Sequence, residues 1–278
     1  MDNFRPCPVC GNSDRVKINV IGELKPTFHF TKNTVPLFEL VECLVCTTIY
    51  QTPLPSDAVF HELYIDAAQF TSDTYIGERS ELIVDYFKVC AQYMMNRMGK
   101  NADLRVLEIG SGLSWMCNAV KRLDSKSYTI AQDISPECQH ICSWVDKYIV
   151  GSCEENYDLL EKNGPYDIIS LTHVIEHLPY PLDFTMQITP LLSSRGILFI
   201  TAPYQPLEWK NAGNDIKRWQ AWSYNHVPGH LQYLTENSIQ VMSRVAKLKI
   251  ALYDNTHDNG QAFELMLSKS DLISKITE

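Results

Sequence analysis

Two short runs carry the residues best suited to grip a metal, Cys7-Pro8-Val9-Cys10 and Cys43-Leu44-Val45-Cys46. Each sets two thiols within one tight turn, which is half of a tetrahedral zinc site. Two such half-sites predict one zinc on Cys7, Cys10, Cys43 and Cys46, structural because four sulfurs leave no coordination position open for chemistry. Gly11, directly after the first pair, suits a chain that turns with positive φ around an ion. Read as ordinary small apolar residues, the four cysteines leave the duplicated spacing unexplained. Read as redox pairs, they lack the helix-opening βαβ setting of such pairs.

A second constellation points to a nucleoside. Val106-Leu107-Glu108-Ile109-Gly110-Ser111-Gly112 ends an apolar run and opens a helical pattern, where glycines let the backbone approach a ligand closely. Asp133 stands 25 residues after Glu108, at the end of the next apolar run, where a carboxylate can accept both hydroxyls of a ribose. A dinucleotide site would want a third glycine under the pyrophosphate, and Ser114 follows Leu113 there instead. A tight turn and a helix cap would explain the glycines and Asp133 singly, but not strand, turn, helix and acid in register.

Histidines supply candidate proton acceptors, since an imidazole of pKa about 6.5 accepts a proton near neutral pH. His173-Val174-Ile175-Glu176-His177 matches the H-x-x-E-H pattern of inverted zinc peptidases. That motif needs both histidines on one face of a regular helix, whereas this one directly follows a buried strand, so the peptidase reading is set aside. His177 reads equally as a structural hydrogen-bonder under the loop. A second group, Tyr224-Asn225-His226-Val227-Pro228-Gly229-His230, falls in a loop expected to overhang the carboxyl ends of the strands. Trp219, Trp222 and Tyr224 either line a substrate pocket there or anchor the loop.

The elements that must position these residues follow from pattern and composition. The chain has 278 residues, room for one full-size core and one small module. Residues 1–55 are turn-rich, hold both cysteine pairs and end at Thr52-Pro53-Leu54-Pro55, which predicts a zinc-ribbon-like module. Residues 56–100 turn helical, with Leu82, Ile83, Tyr86, Phe87, Cys90 and Met94 recurring at helical spacing, as a lead-in to the next domain.

From 101 to 278, short apolar runs at Leu104 to Ile109, Tyr128 to Gln132, Lys147 to Val150, Tyr166 to Leu171 and Gly196 to Ala202 alternate with amphipathic stretches. That alternation predicts βαβ units, hence an α/β, Rossmann-like, seven-stranded and mostly parallel sheet with helices on both faces. Ser135 and Pro136 predict a helix after Asp133. A loop insertion at about 203–234, carrying Trp209 with the aromatics above, precedes a helix near Thr235 to Leu248. Strands at Lys249 to Tyr253 and Gln261 to Leu267 close the sheet as a hairpin. The apolar runs are too short for a membrane span and no leader pattern opens the chain, so a soluble cytoplasmic protein is expected, in keeping with unpaired thiols. A net charge of −9 with no dense Lys/Arg stripe disfavours nucleic acid as a partner, and no membrane partner is expected.

On these motifs the sequence resembles class I S-adenosylmethionine-dependent methyltransferases, specifically the group with an N-terminal four-cysteine zinc module found among sugar and natural-product methyltransferases. The resemblance covers nearly the whole chain. It rests on the two cysteine pairs with the trailing Thr52-Pro53 and Tyr64, on Val106 to Gly112, on Tyr166-Asp167-Ile168-Ile169 and on Val174-Ile175-Glu176-His177-Leu178. It implies that Glu108 orders the glycine loop and the methionine end of the cofactor. Gly110, Ser111 and Gly112 then line its sulfonium and ribose side, and Asp133 with Ile134 holds the ribose. Where relatives place an acid against the adenine, this chain has Ser152 and Cys153; Thr172 and His173 fall beside the methyl group. His230 matches the histidine of an acid-histidine pair in related sugar C-methyltransferases, while Gly229 replaces the acid, which leaves O-, N- and C-methylation open. The implied base or substrate positioner is His230, with His226 and His173 as alternates. The implied acceptor is a sugar, nucleotide-sugar or natural-product intermediate. The alternatives are a zinc-containing ribosomal RNA methyltransferase, which would want a basic face, and a non-catalytic cofactor-binding partner protein.

Overall fold

A computed structural model describes residues 4–21, 38–66, 78–204, 222, 224, 226, 228–256 and 261–270. Its main sheet is assembled from strands whose apolar side chains alternate between two hydrophobic layers. Val106, Ile168, Ile197 and Phe199 enter one layer, and their neighbours Leu107, Ile169, Leu198 and Ile200 enter the other. Strands apolar on both faces must be covered on both, which dictates helices above and below.

The strands are β4 (Arg105–Ile109), β5 (Tyr128–Asp133), β6 (Lys147–Val150), β7 (Tyr166–Thr172), β8 (Leu192–Pro203), β10 (Lys249–Asp254) and β11 (Ala262–Ser268). They lie in the order β10-β11-β8-β7-β4-β5-β6. Pairing is parallel from β8 through β6, while β11 runs antiparallel to both β8 and β10 as the expected closing hairpin.

One face is covered by α2 (Glu78–Met98) and α3 (Trp115–Leu123). The buried stripe of α2 runs Val84, Phe87, Ala91, Met94, Met98, at steps of three and four. Leu82, expected on that face, points to solvent at 72% exposure, because it lies two residues and thus about 200° of helical rotation before Val84. The other face is covered by α4 (Tyr157–Asn163), α5 (Pro181–Ile188) and α6 (Glu236–Val245), through Leu160, Phe184, Ile188, Ile239 and Met242. Thr235 caps α6 by accepting from the Ser238 amide.

The helix expected after Asp133 is replaced by successive turns. Ser135 Oγ accepts from the Glu137 amide at 3.3 Å, as a cap should, yet the following amides of Gln139 and Ile141 reach back only three residues, to Pro136 and Cys138. Cys138 and Cys142 instead bury against Leu113, and the 13 residues between β5 and β6 are spent on that contact rather than on a regular helix.

The N-terminal strands β1 (Arg15–Ile21), β2 (Phe38–Cys43) and β3 (Ile49–Thr52) form a separate antiparallel sheet, which a short strand β9 (Gln232–Tyr233) from beyond β8 completes. Cys7, Val9, Val41, Cys43, Cys46 and Tyr50 join the apolar layer on the α4–α6 side of the main sheet. A short helix α1 (Asp57–His61) and a π-helical turn at Glu62–Asp66 follow β3. Among the described residues, no helix is long and apolar enough to cross a membrane.

Candidate active site

Strand order reverses between β4 and β7, since the chain runs outward through β5 and β6 on one side and through β7 and β8 on the other. At such a switch point the carboxyl ends of the strands leave a crevice, the usual ligand site of an open α/β sheet. The segment Gly110–Gly112 leaves β4 at this crevice. Gly110 has φ +60°, and a Cβ there would stand 2.6 Å from Val174 Cγ2, so only glycine lets the loop lie against the residues that follow β7. The Ser111 amide donates to the Gln132 carbonyl at 3.0 Å and the Gly112 amide to Asp133 Oδ2 at 2.8 Å, tying the loop to β5. Ser114, at the would-be third glycine, also takes positive φ.

Glu108 is buried beneath the loop, where Oε1 accepts from Met116 N at 3.3 Å and Oε2 from Cys117 N at 3.0 Å. It satisfies the open amides at the start of α3, and burial pushes its carboxyl up to about 7. Asp133 Oδ1 takes the Ser135 amide at 2.8 Å. With one amide on each oxygen, Asp133 keeps about two of its four lone-pair positions for a ligand; burial raises its pKa. Ile134 is exposed beside it. After β6, Ser152 and Glu155 bond reciprocally, each amide to the other's side chain, and Cys153 is buried in the core. Thr172 ends β7, with Oγ1 3.3 Å from Ser170 Oγ.

His173 follows at φ +52°, an unusual backbone state for a non-glycine residue. Its Nδ1 lies 3.2 Å from Glu176 Oε1, and its ring stacks on Tyr224 at 5.7 Å. His177, in the 3-10 turn Ile175–His177, sets Nδ1 against Tyr64 Oη (2.7 Å) and the Gly229 carbonyl (3.0 Å). His230 sets Nδ1 against the Tyr224 carbonyl at 2.8 Å, and its ring centre lies 4.7 Å from that of His177 and 4.9 Å from that of His226. Three histidines, His173, His177 and His230, therefore meet around Glu176, with His226 against the His230 ring, and Tyr64, Tyr224 and Tyr233 pack against them. Burial drives the pKa of His230 well below the ordinary imidazole value and lowers that of His177. Trp222 packs on Tyr233, while Trp209 and Trp219 lie outside the described residues.

Glu176 and Tyr64 are the residues that sequence reasoning did not assign to the site. The H-x-x-E-H spacing was the available signal, but its partner His230 lies 54 residues beyond Glu176 and no local pattern joins them.

The four cysteine sulfurs converge at the N-terminal sheet. All four lie within 4.8 Å of one another, with Cys7 Sγ to Cys46 Sγ and Cys10 Sγ to Cys43 Sγ both at 3.4 Å. Both turns are built alike. The Gly11 amide donates to the Cys7 carbonyl and the Thr47 amide to the Cys43 carbonyl, and Gly11 and Thr47 both take positive φ. The closest approaches pair one cysteine from each turn and far exceed the roughly 2.05 Å of an S–S bond. They suit four thiolates at about 2.3 Å from a common ion, so the donor set fits a tetrahedral metal.

A Rossmann-like sheet with a glycine loop and an acid at the switch point defines a nucleoside-cofactor site, and the family match makes the chain an S-adenosylmethionine-dependent methyltransferase. The chain belongs to the methyltransferase-domain family, whose model matches residues 78–251. Curated proteins include no match to it. Among solved structures it is similar to the plantazolicin methyltransferase BpumL, in complex with a monoazolic desmethylPZN analog and SAH, at 13% identity, covering 74% of this chain and 91% of that one with a TM-score of 0.54. It is also similar to a candidate O-methyltransferase of Nostoc punctiforme PCC 73102, at 16% identity, covering 66% of this chain and 56% of that one with a TM-score of 0.51.

Proposed function

We propose that the protein transfers the S-adenosylmethionine methyl group to a small molecule, a sugar, nucleotide-sugar or natural-product intermediate, in the cytoplasm, with a structural zinc on Cys7, Cys10, Cys43 and Cys46. The observation that carries this reading is the pairing of a ribose-type acid, Asp133, with a histidine-lined mouth at the same crevice. The net charge of −9 argues against a nucleic-acid substrate. Transfer requires alignment of the acceptor with the sulfur-to-methyl bond and removal of the acceptor's proton. Of the three histidines at the mouth, His173 and His226 keep solvent contact, whereas burial lowers the pKa of His230 and weakens it as a proton acceptor. The test is calorimetry with S-adenosylhomocysteine, together with labelled S-adenosylmethionine and fractionated metabolites, the product identified by mass spectrometry. Asp133→Ala should weaken S-adenosylhomocysteine binding by about 1.5–3 kcal/mol through loss of charge-assisted hydrogen bonds. Tighter binding of NAD than of S-adenosylhomocysteine would refute the reading.

A further inference from the structure

His177 and His230 are held in one tautomer by their surroundings. Each has Nδ1 within 3.0 Å of a backbone carbonyl, Gly229 for His177 and Tyr224 for His230. A carbonyl can only accept, and the Tyr64 hydroxyl beside His177 Nδ1 spends its own proton on the Gly229 carbonyl at 3.1 Å, so each Nδ1 carries the proton and each Nε2 presents a lone pair. Both lone pairs face the carboxylate of Glu176, with His177 Nε2 and His230 Nε2 each 4.0 Å from Oε1. Glu176 is 1% exposed, and its Oε2 has no hydrogen-bond partner among the described residues. Two imidazole lone pairs thus meet a buried carboxylate whose Oε1 has His173 Nδ1 at 3.2 Å and whose Oε2 no donor reaches among the described residues, an arrangement that is costly unless something positive sits at the centre.

We propose that Glu176, His177 and His230 bind a divalent transition-metal ion, separate from the four-cysteine site, with at least one coordination position open toward the methyl-transfer crevice. Two imidazoles and one carboxylate are the donor set of catalytic zinc and related first-row ions, and poorly suited to magnesium. The outer contacts have the form such sites use, a backbone carbonyl fixing each imidazole and His173 Nδ1 beside Glu176 Oε1 orienting the carboxylate. Bonds of about 2.1 Å in tetrahedral array set donors about 3.4 Å apart. The 4.0 Å separations need to close by only about 0.6 Å, within reach of small side-chain rotations.

The site adjoins the cofactor loop, since Val174, between His173 and Glu176, is the residue Gly110 packs on. Building on the methyltransferase reading, an acceptor hydroxyl on the open position would be acidified by the ion. Its proton passes to His226 or His173 and its oxygen bonds to the methyl carbon. The sulfur-to-methyl bond breaks, and a methyl ether and S-adenosylhomocysteine leave. O-methylation follows as the reaction class.

The test titrates Co²⁺ into the full-length protein as purified, with its cysteine site already loaded. One further equivalent should bind, with a visible spectrum lacking the thiolate-to-cobalt charge-transfer band. Glu176→Gln and His230→Asn should each weaken this uptake at least tenfold, with S-adenosylhomocysteine binding reporting that the variants are folded. If the variants misfold, uptake and spectrum of the parent protein decide alone. No further uptake, as for a bound water, overturns the proposal; so does uptake with a thiolate band, or uptake unchanged in both folded variants. Loss of S-adenosylhomocysteine binding in the parent protein would sink the methyltransferase reading instead, and the cobalt titration does not depend on it.

Discussion

Glu108 illustrates how one buried side chain sets a pH dependence. Burial raises its carboxyl from 4.5 to about 7, although two backbone amides pull the other way. A carboxyl raised on folding stabilises fully below its unfolded pKa and loses that contribution as pH rises through the folded one. Between pH 4.5 and pH 8 the protein should therefore lose about 3 kcal/mol on this account, at 1.36 kcal/mol per unit. Glu108→Gln keeps an oxygen acceptor and removes the titration, so its urea-unfolding free energy should be flatter across that range. Parallel pH profiles for the two proteins would refute the argument. Glu108 and the four cysteines were legible in the sequence because their spacing sits within single turns or successive βα units. Glu176 was not, because its role arises from His230, brought in by a distant loop.

At the scale of elements, short continuous apolar runs made the main strands readable to within a few residues, since strands of a sheet covered on both faces are apolar on both. The stretch after Asp133 misled because a capping residue marks where a helix can start, not whether later side chains are drawn elsewhere, as Cys138 and Cys142 are. The glycine loop offers a test of how elements meet. Gly110→Ala places a Cβ 2.6 Å from Val174 Cγ2 and forces alanine to φ +60°. The left-handed state alone costs about 1–2 kcal/mol, so this variant should bind S-adenosylhomocysteine at least tenfold more weakly. Val174→Ala removes the clashing methyls. The double variant should recover all but the backbone cost, while Val174→Ala alone changes binding little. Equal affinities for the single Gly110→Ala and the double variant would show that the contact does not shape the loop.

At the scale of the whole molecule, the N-terminal sheet and the crevice are joined. If the proposed zinc links the turns at Cys7–Cys10 and Cys43–Cys46, Cys7→Ser should lower zinc content by one equivalent and the yield of soluble protein with it, read by elemental analysis. Zinc content unchanged in Cys7→Ser would remove the metal from these cysteines. Arg5 then links that sheet to the site. Its Nε donates to the Gln51 carbonyl on β3 at 2.8 Å, Nη1 to Pro179 after the 3-10 turn at 2.8 Å, and Nη2 to Leu231, next to His230, at 3.0 Å. Burial lowers the guanidinium to about 10, so it stays charged at neutral pH. Arg5→Ala removes a donor from carbonyls in three segments, of which Leu231 keeps the Gln51 amide, and should cost about 3 kcal/mol, from the penalty for weakened buried acceptors. Arg5→Lys should rescue little, since an ammonium cannot reproduce the planar fork. Because the fork spans the loops flanking the histidines and leaves the Gly110–Asp133 side alone, turnover should fall while S-adenosylhomocysteine affinity holds within a few-fold, measured below the melting temperature of the variant. Equal losses in both would mean that Arg5 supports the fold at large, and unchanged stability in Arg5→Ala would mean that the two sheets are held together by their apolar contact and the remaining hydrogen bonds, such as Thr235 Oγ1 to the Cys46 carbonyl.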